Sequence, residues 1–114
     1  MVTLSPASIV VMPFPFSDLS GTKLRPAVVL ADTGHDDWLL CQITSNAYRD
    51  SVSIRLTNAD LKLGTLSVIS YARPIKLFTA NESLMIKRIA ILKDEPFKAI
   101  VMATIAELRK NLPS

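Results

Sequence analysis

Between residues 8 and 92 the chain is a succession of short apolar runs, joined by connections too short to hold a crossover helix. Parallel neighbours need a crossover of about a dozen residues or more, so consecutive runs can pair only antiparallel. The runs fall at residues 8–14, 25–31, 37–43, 51–56, 65–72 (with a short extension over 75–78) and 86–92. Asn58 to Gly64 reads as a connection, and residues 81–84 as a single helical turn. Pro13 places the far end of the first run at an edge or a bend. Only the last stretch has helical periodicity. Phe97, Ile100, Val101, Ile105 and Leu108 form an apolar stripe behind Asp94, a candidate N-cap, and Pro96, which a first turn tolerates. The pattern predicts a mainly β chain: a small, strongly bent antiparallel sheet or half-open barrel with a C-terminal helix packed on it.

One hairpin can be registered from sequence. Pro26 disfavours helix at Arg25, and Val28, Val29 and Leu30 suit a buried strand. Residues 32–36 form the turn before the third run. A turn centred between Gly34 and His35 sets Val28 opposite Cys41, Leu30 opposite Leu39 and Pro26 opposite Ile43, which gives one apolar face. The other face then carries Arg25 opposite Thr44, with Ala27 and Gln42 beside them. A slip of one residue would exchange the two faces. The register that yields a clean core is therefore the one that brings a guanidinium to a hydroxyl.

At 114 residues, 49% hydrophobic and 20% charged, the chain has the size and composition of one folded domain over 1–114. That length buries about two-thirds of the unfolded surface without a disulfide or a structural metal. The single cysteine, Cys41, lies in an apolar run and reads as a buried filler, which fits a reducing compartment. A net charge of +3 suits an anionic partner. Prolines interrupt the apolar N-terminus and no basic segment precedes it, so neither a signal peptide nor a membrane span is expected, and the cytoplasm is the default. No metal-ligand cluster, phosphate-cradling glycine loop or serine hydrolase signature is present, and no cofactor is expected.

Ile9-Val10-Val11-Met12-Pro13-Phe14-Pro15-Phe16-Ser17-Asp18, Lys23-Leu24-Arg25-Pro26-Ala27-Val28-Val29-Leu30 and Gln42-Ile43-Thr44-Ser45 together resemble the MazF/PemK family of toxins. Residues 66–79 and the final strand and helix fit as well, so the resemblance runs from about Ser8 to Leu108. It implies an SH3-like (CcdB-like) barrel that forms a homodimer, cleaves single-stranded RNA without a metal and is silenced by an antitoxin protein. It also implies a catalytic pair at Arg25 and Thr44, the two residues that the hairpin register already sets side by side. There are departures. Ala7-Ser8 replaces the family's Gly-Asp, Ala90 stands where Gly is common, and Ser67 and Ile69 occupy the neighbourhood where some members carry an arginine and an acid. The last of these leaves the general base open.

Several further residues are candidates for contact with the substrate. Asp18 and Ser20 lie in the loop before Arg25, where touching a base and forming a plain surface loop are equally good readings. Lys23 and Ser45 flank the catalytic pair in the family-like stretches. Gln42 shares the Arg25 face, with a hydrogen-bonding or a structural role, and Arg73 repeats the Arg-Pro pairing, with RNA backbone or solvent as its partner. Phe16 and Trp38 are aromatic candidates for stacking on bases, though Trp38 fits better as a filler beside the helix or a dimer partner. His35 sits in the turn at the far end from Arg25 and reads as a solvated turn residue. Two rival functions stay open: a non-catalytic poison that jams a protein target such as gyrase, and an inactive nucleic-acid-binding relative on the same fold.

Overall fold

A computed structural model describes residues 4–15, 22–47 and 51–114. Seven strands are present: β1 (Ser8–Pro15), β2 (Thr22–Gly34), β3 (Asp37–Thr44), β4 (Ile54–Leu56), β5 (Leu61–Gly64), β6 (Ser70–Asn81) and β7 (Lys87–Leu92), followed by α1 (Asp94–Arg109). They form one sheet in the order β4-β6-β3-β2-β1-β7-β5, and every neighbouring pair is antiparallel. The sheet curls into a half-barrel, as the short connections required.

Both faces of the curled sheet are apolar in their middle. The concave side holds Ile9, Val28, Cys41, Ile43, Leu56, Leu92 and others, closed by Phe97, Ile100 and Val101 of α1. The outer side holds Val10, Met12, Ala27, Val29, Trp38 and Leu40, with Phe14 and Phe78 packed edge to face, 4.7 Å between ring centres. Trp38 therefore fills the side of the sheet away from the helix, which removes the first of its two expected places, beside α1 or a dimer partner. The expected helical stripe also ends early. Leu108 is exposed, and it is Thr104 that is buried one turn earlier, its hydroxyl donating to the Ile100 carbonyl at 2.9 Å. Lys93, not Asp94, is the N-cap, and Asp94 and Glu95 lie in the first turn, where acids suit the helix dipole.

The β2–β3 hairpin keeps the expected register over residues 27–29, has no registered pair at Pro26–Ile43 or Arg25–Thr44, and departs from that register towards the tip. Ala27 faces Gln42, Val28 faces Cys41 and Val29 faces Leu40. Beyond that, two irregularities shift the pairing to Ala31 opposite Leu39 and Gly34 opposite Asp37. Leu30 and Thr33 are the extra residues, so Leu30 does not oppose Leu39 as expected. The turn is His35-Asp36, both at positive φ (56° and 64°), and a two-residue turn of that hand matches the twist of its strands. Asp32 supports the tip by accepting from the Gly34 N–H at 2.8 Å.

Three strand assignments change. Residues 65–69 are not strand; β6 begins only at Ser70 and runs unbroken to Asn81. The expected connection over 58–64 contains a 3₁₀ turn (Asn58–Asp60) and then β5, an edge strand paired with β7. The fourth run is extended only over Ile54–Leu56. Gly64 makes the β5 pairing possible. It has φ +86° and lies opposite Ala90, and a side chain there would run into the Ile89 carbonyl oxygen. The absent glycine at position 90 is thus matched by one directly across the ladder.

Candidate active site

Pro26 and Pro74 lack the N–H that a ladder needs, and each disturbs the pairing on one side of β3. On the β2 side, regular pairing with β3 ends at Ala27, one residue after Pro26. On the β6 side, Cys41 pairs with Leu77 and Ile43 with Ala72, so residues 73–76 bulge opposite Gln42 alone. Bulges re-aim side chains and are common beside functional sites. Here the two Arg-Pro pairs flank the end of β3 from both neighbours, Arg25 on β2 and Arg73 on β6.

Arg25 and Thr44 lie two residues beyond the last registered pair, Ala27–Gln42, at the ends of the adjacent strands β2 and β3. Both residues are half-buried, and both border one cavity of about 290 Å³. Its remaining wall comes from Leu24, Pro26, Ile43 and Ser45 at the strand ends, Val11 and Ile89 on the adjacent strands, and Leu66, Ser67, Val68 and Ser70. Among the described residues, no carboxylate or imidazole lines it. The Thr44 hydroxyl oxygen accepts from the Asn46 N–H at 3.1 Å, which fixes the oxygen and leaves its proton to be donated elsewhere. Arg73 donates from Nη1 to Gln42 Oε1 at 3.2 Å, so these two candidates hold one another beside Thr44.

The far wall of the cavity is built by residues that the sequence did not single out. Asn58 clamps Leu66 on both sides, accepting from its N–H at 2.7 Å and donating to its carbonyl at 3.2 Å. The Ser70 hydroxyl donates to the Val68 carbonyl at 3.0 Å. Asn58 is itself held by the turn it starts. Thr57 accepts from the Ala59 N–H, and Asp60 accepts from the Thr57 N–H at 2.8 Å, a reciprocal cap that the Thr-x-x-Asp spacing encodes. That spacing was the available signal for this clamp.

The other candidates divide plainly. Ser45 borders the cavity, is exposed, and sits beside Thr44. Lys23 is exposed on β2, opposite Phe14 on β1. Asp18, Ser20 and Phe16 lie outside the described residues. His35 is in the hairpin turn at the opposite end of β2 from Arg25, its carbonyl accepting from Asn81. Cys41 is fully buried between β2 and β6, and burial pushes its thiol up from 9.0 to about 12, so it is a packing residue. Among the described residues no cluster of three or more His, Cys, Asp or Glu is placed to hold a metal, and no helix is long and apolar enough to cross a membrane.

This arrangement, a seven-stranded antiparallel half-barrel closed by a C-terminal helix with a cavity at the β2–β3 strand ends, is a MazF-like fold. Solved structures carry the same fold over nearly the whole chain. An endoribonuclease from a mycobacterial species, in complex with its cognate antitoxin, superposes with a TM-score of 0.75 at 9% identity, covering 97% of this chain and 100% of that one. A MazE–MazF complex from Deinococcus radiodurans gives 0.70 at 15% identity (93% and 96%), and a MazF toxin from Mycobacterium tuberculosis gives 0.62 at 13% (88% and 96%). No protein-family model matches the chain, and no curated protein matches it in sequence. At these identities the shared property is the fold.

Proposed function

We propose that the chain is the toxin of a toxin–antitoxin pair: an endoribonuclease that cuts single-stranded RNA at the Arg25–Thr44 cavity. The observation that carries this reading is the meeting of Arg25 and Thr44 at one open cavity, at the strand ends of a MazF-type barrel. Proteins of this fold include endoribonucleases and their complexes with antitoxins, which supports both the activity and an antitoxin partner here.

RNA is cut without an external nucleophile when its own 2′-OH attacks the adjacent phosphorus. The new bond closes a 2′,3′-cyclic phosphate, the bond to the 5′-oxygen breaks, and the 2′ proton leaves as the 5′-oxygen gains one. Arg25 offers a planar cation whose parallel N–H groups match phosphate oxygens and oppose the charge that builds on them. Thr44, its oxygen anchored by Asn46, directs its proton to a phosphate oxygen or orients the 2′-OH. A guanidinium is a poor base, so Arg25 serves as the electrostatic partner, and among the described residues lining the cavity there is no carboxylate or imidazole to take the 2′ proton. The action needs no metal in this reading, and the working form is a homodimer in the cytoplasm.

The test is to incubate purified protein with a long single-stranded transcript in EDTA. Discrete fragments with 2′,3′-cyclic phosphate and 5′-OH ends are expected. Intact RNA favours the rival reading, a non-catalytic protein-binding poison on the same fold. Mapping the fragment ends over the transcript gives the recognition sequence.

A further inference from the structure

The strand registers carry the site beyond the cavity. Tyr71 on β6 is the direct partner of Thr44 on β3 and also of Arg55 on β4. Side chains of directly paired residues lie on the same face of a sheet. Thr44, Tyr71 and Arg55 therefore form one row across three strands, and Arg25 lies on β2 beyond its Thr44 end, where both border the cavity. With strands about 4.8 Å apart, the row is about 10 Å long. Along β6 the inward positions Ser70, Ala72 and Pro74 are buried, which fixes Tyr71 and Arg73 on the outer face between them. Arg73 then reaches Gln42 on that same face.

We infer that Tyr71, bracketed by Arg55 and Arg73, is a base-stacking subsite that receives a nucleotide of single-stranded RNA next to the Arg25–Thr44 site. The inference rests on the reading of the chain as an RNA-cutting toxin and names a place where it holds its substrate. Tyr71 is half-buried, so its ring is held in place by the sheet while part of it meets solvent, and Arg55 is exposed. An aromatic face stacks on any unpaired base, and guanidinium groups beside it take the flanking phosphates. None of the six side chains of this surface (Arg25, Gln42, Thr44, Arg55, Tyr71 and Arg73) is acidic, so nothing in it repels a polyanion. Trp38, one of the two aromatic residues that the sequence offered for stacking, is enclosed at the other end of this face.

The test uses fluorescein-labelled, uniformly 2′-O-methylated 12-mers of random sequence, which cannot be cut because the attacking hydroxyl is capped. Tyr71→Phe is expected to bind within two-fold of wild type. Tyr71→Leu, which keeps the bulk but not the aromatic face, is expected to lose about ten-fold or more in affinity. Arg55→Gln is expected to reduce the dependence of log K on log salt by about 0.7, the value of one phosphate contact on a single strand. Equal binding by Tyr71→Leu and wild type overturns the subsite, as does an equal loss in the Phe and Leu variants, and so does a Tyr71→Leu protein whose defect is a changed oligomeric state in sedimentation. Transcript cleavage by wild type separates this from the parent reading. If wild type cuts RNA and Tyr71→Leu binds normally, only the subsite falls. If wild type binds the capped RNA through Tyr71 but leaves the transcript intact, the subsite stands and catalysis falls.

Discussion

Replacing Gly64 by alanine tests the way the edge of this sheet is closed. At φ +86° an L-residue pays a conformational penalty of about 1–2 kcal/mol. The added methyl also meets backbone, not a yielding side chain: the Ile89 carbonyl oxygen and the Ala90 Cα at 2.6 Å, with the Ala90 Cβ at 3.0 Å. Relieving such a contact means moving β5 away from β7, at about 1–3 kcal/mol for overpacking. Together these give a loss of about 2–5 kcal/mol. For a domain of this length each kcal/mol lowers Tm by roughly 4 °C, so a drop of about 8–20 °C is expected by calorimetry. Adding Ala90→Gly sharpens the test. It removes the Cβ contact and leaves the Ile89 oxygen and the positive φ in place, so it should restore only a small part of the loss. A Gly64→Ala protein that melts within about 3 °C of wild type, or one fully rescued by Ala90→Gly, would refute the reasoning.

Arg25→Ala should lower the cleavage rate at least 10²–10³-fold, about the effect of one lost preorganised donor, with Tm unchanged; Thr44→Ala should lose less, and Thr44→Ser should retain most of the rate in the transcript assay. Cys41, whose folded pKa lies near 12 against 9.0 for the free thiol, keeps its proton in the fold after the unfolded chain has lost its own. Its contribution is therefore complete below pH 9 and disappears as pH rises from 9 towards 12, at about 1.4 kcal/mol per pH unit. The stability gap between wild type and Cys41→Ala in urea melts should narrow over that window, and native protein should resist iodoacetamide at pH 8. Asn58→Ala releases the clamp on Leu66 and should cost about 1–3 kcal/mol, with faster hydrogen exchange at the Leu66 amide and slower cleavage from a loosened cavity wall.

The parts of this structure that were legible in the sequence are those where a single residue type fixes the backbone or where one face must be apolar. Val28 opposite Cys41 followed from packing alone, and with it the place of Arg25 and Thr44 at the ends of adjacent strands. The tip of the same hairpin was not legible, because two bulges at Leu30 and Thr33 leave no mark in an apolar pattern. β5 was hidden for a different reason. Its sequence, Leu-Lys-Leu-Gly, is a short edge whose ladder depends on a glycine facing Ala90 from far away in the chain. Residues 65–69 look like a strand by composition, yet Asn58 holds Leu66, just before the bend at Ser67 and Val68, by satisfying the hydrogen bonds that a neighbouring strand would have supplied. Motif and register agreed on Arg25 and Thr44, and both border one cavity. Tyr71 and Arg55 needed the pairing of β3, β6 and β4, which no local pattern reveals.

The two bulges in the long hairpin also bear on how such a chain can diverge. Each one takes up a one-residue offset, so whatever is inserted, deleted or reshaped around His35 and Asp36 is absorbed before it reaches Val29 and Leu40. The distal loop is thereby uncoupled from the chemistry at the opposite end of the same two strands. It is free to vary its length and charge, and to acquire new contacts, while the guanidinium and the hydroxyl keep their alignment.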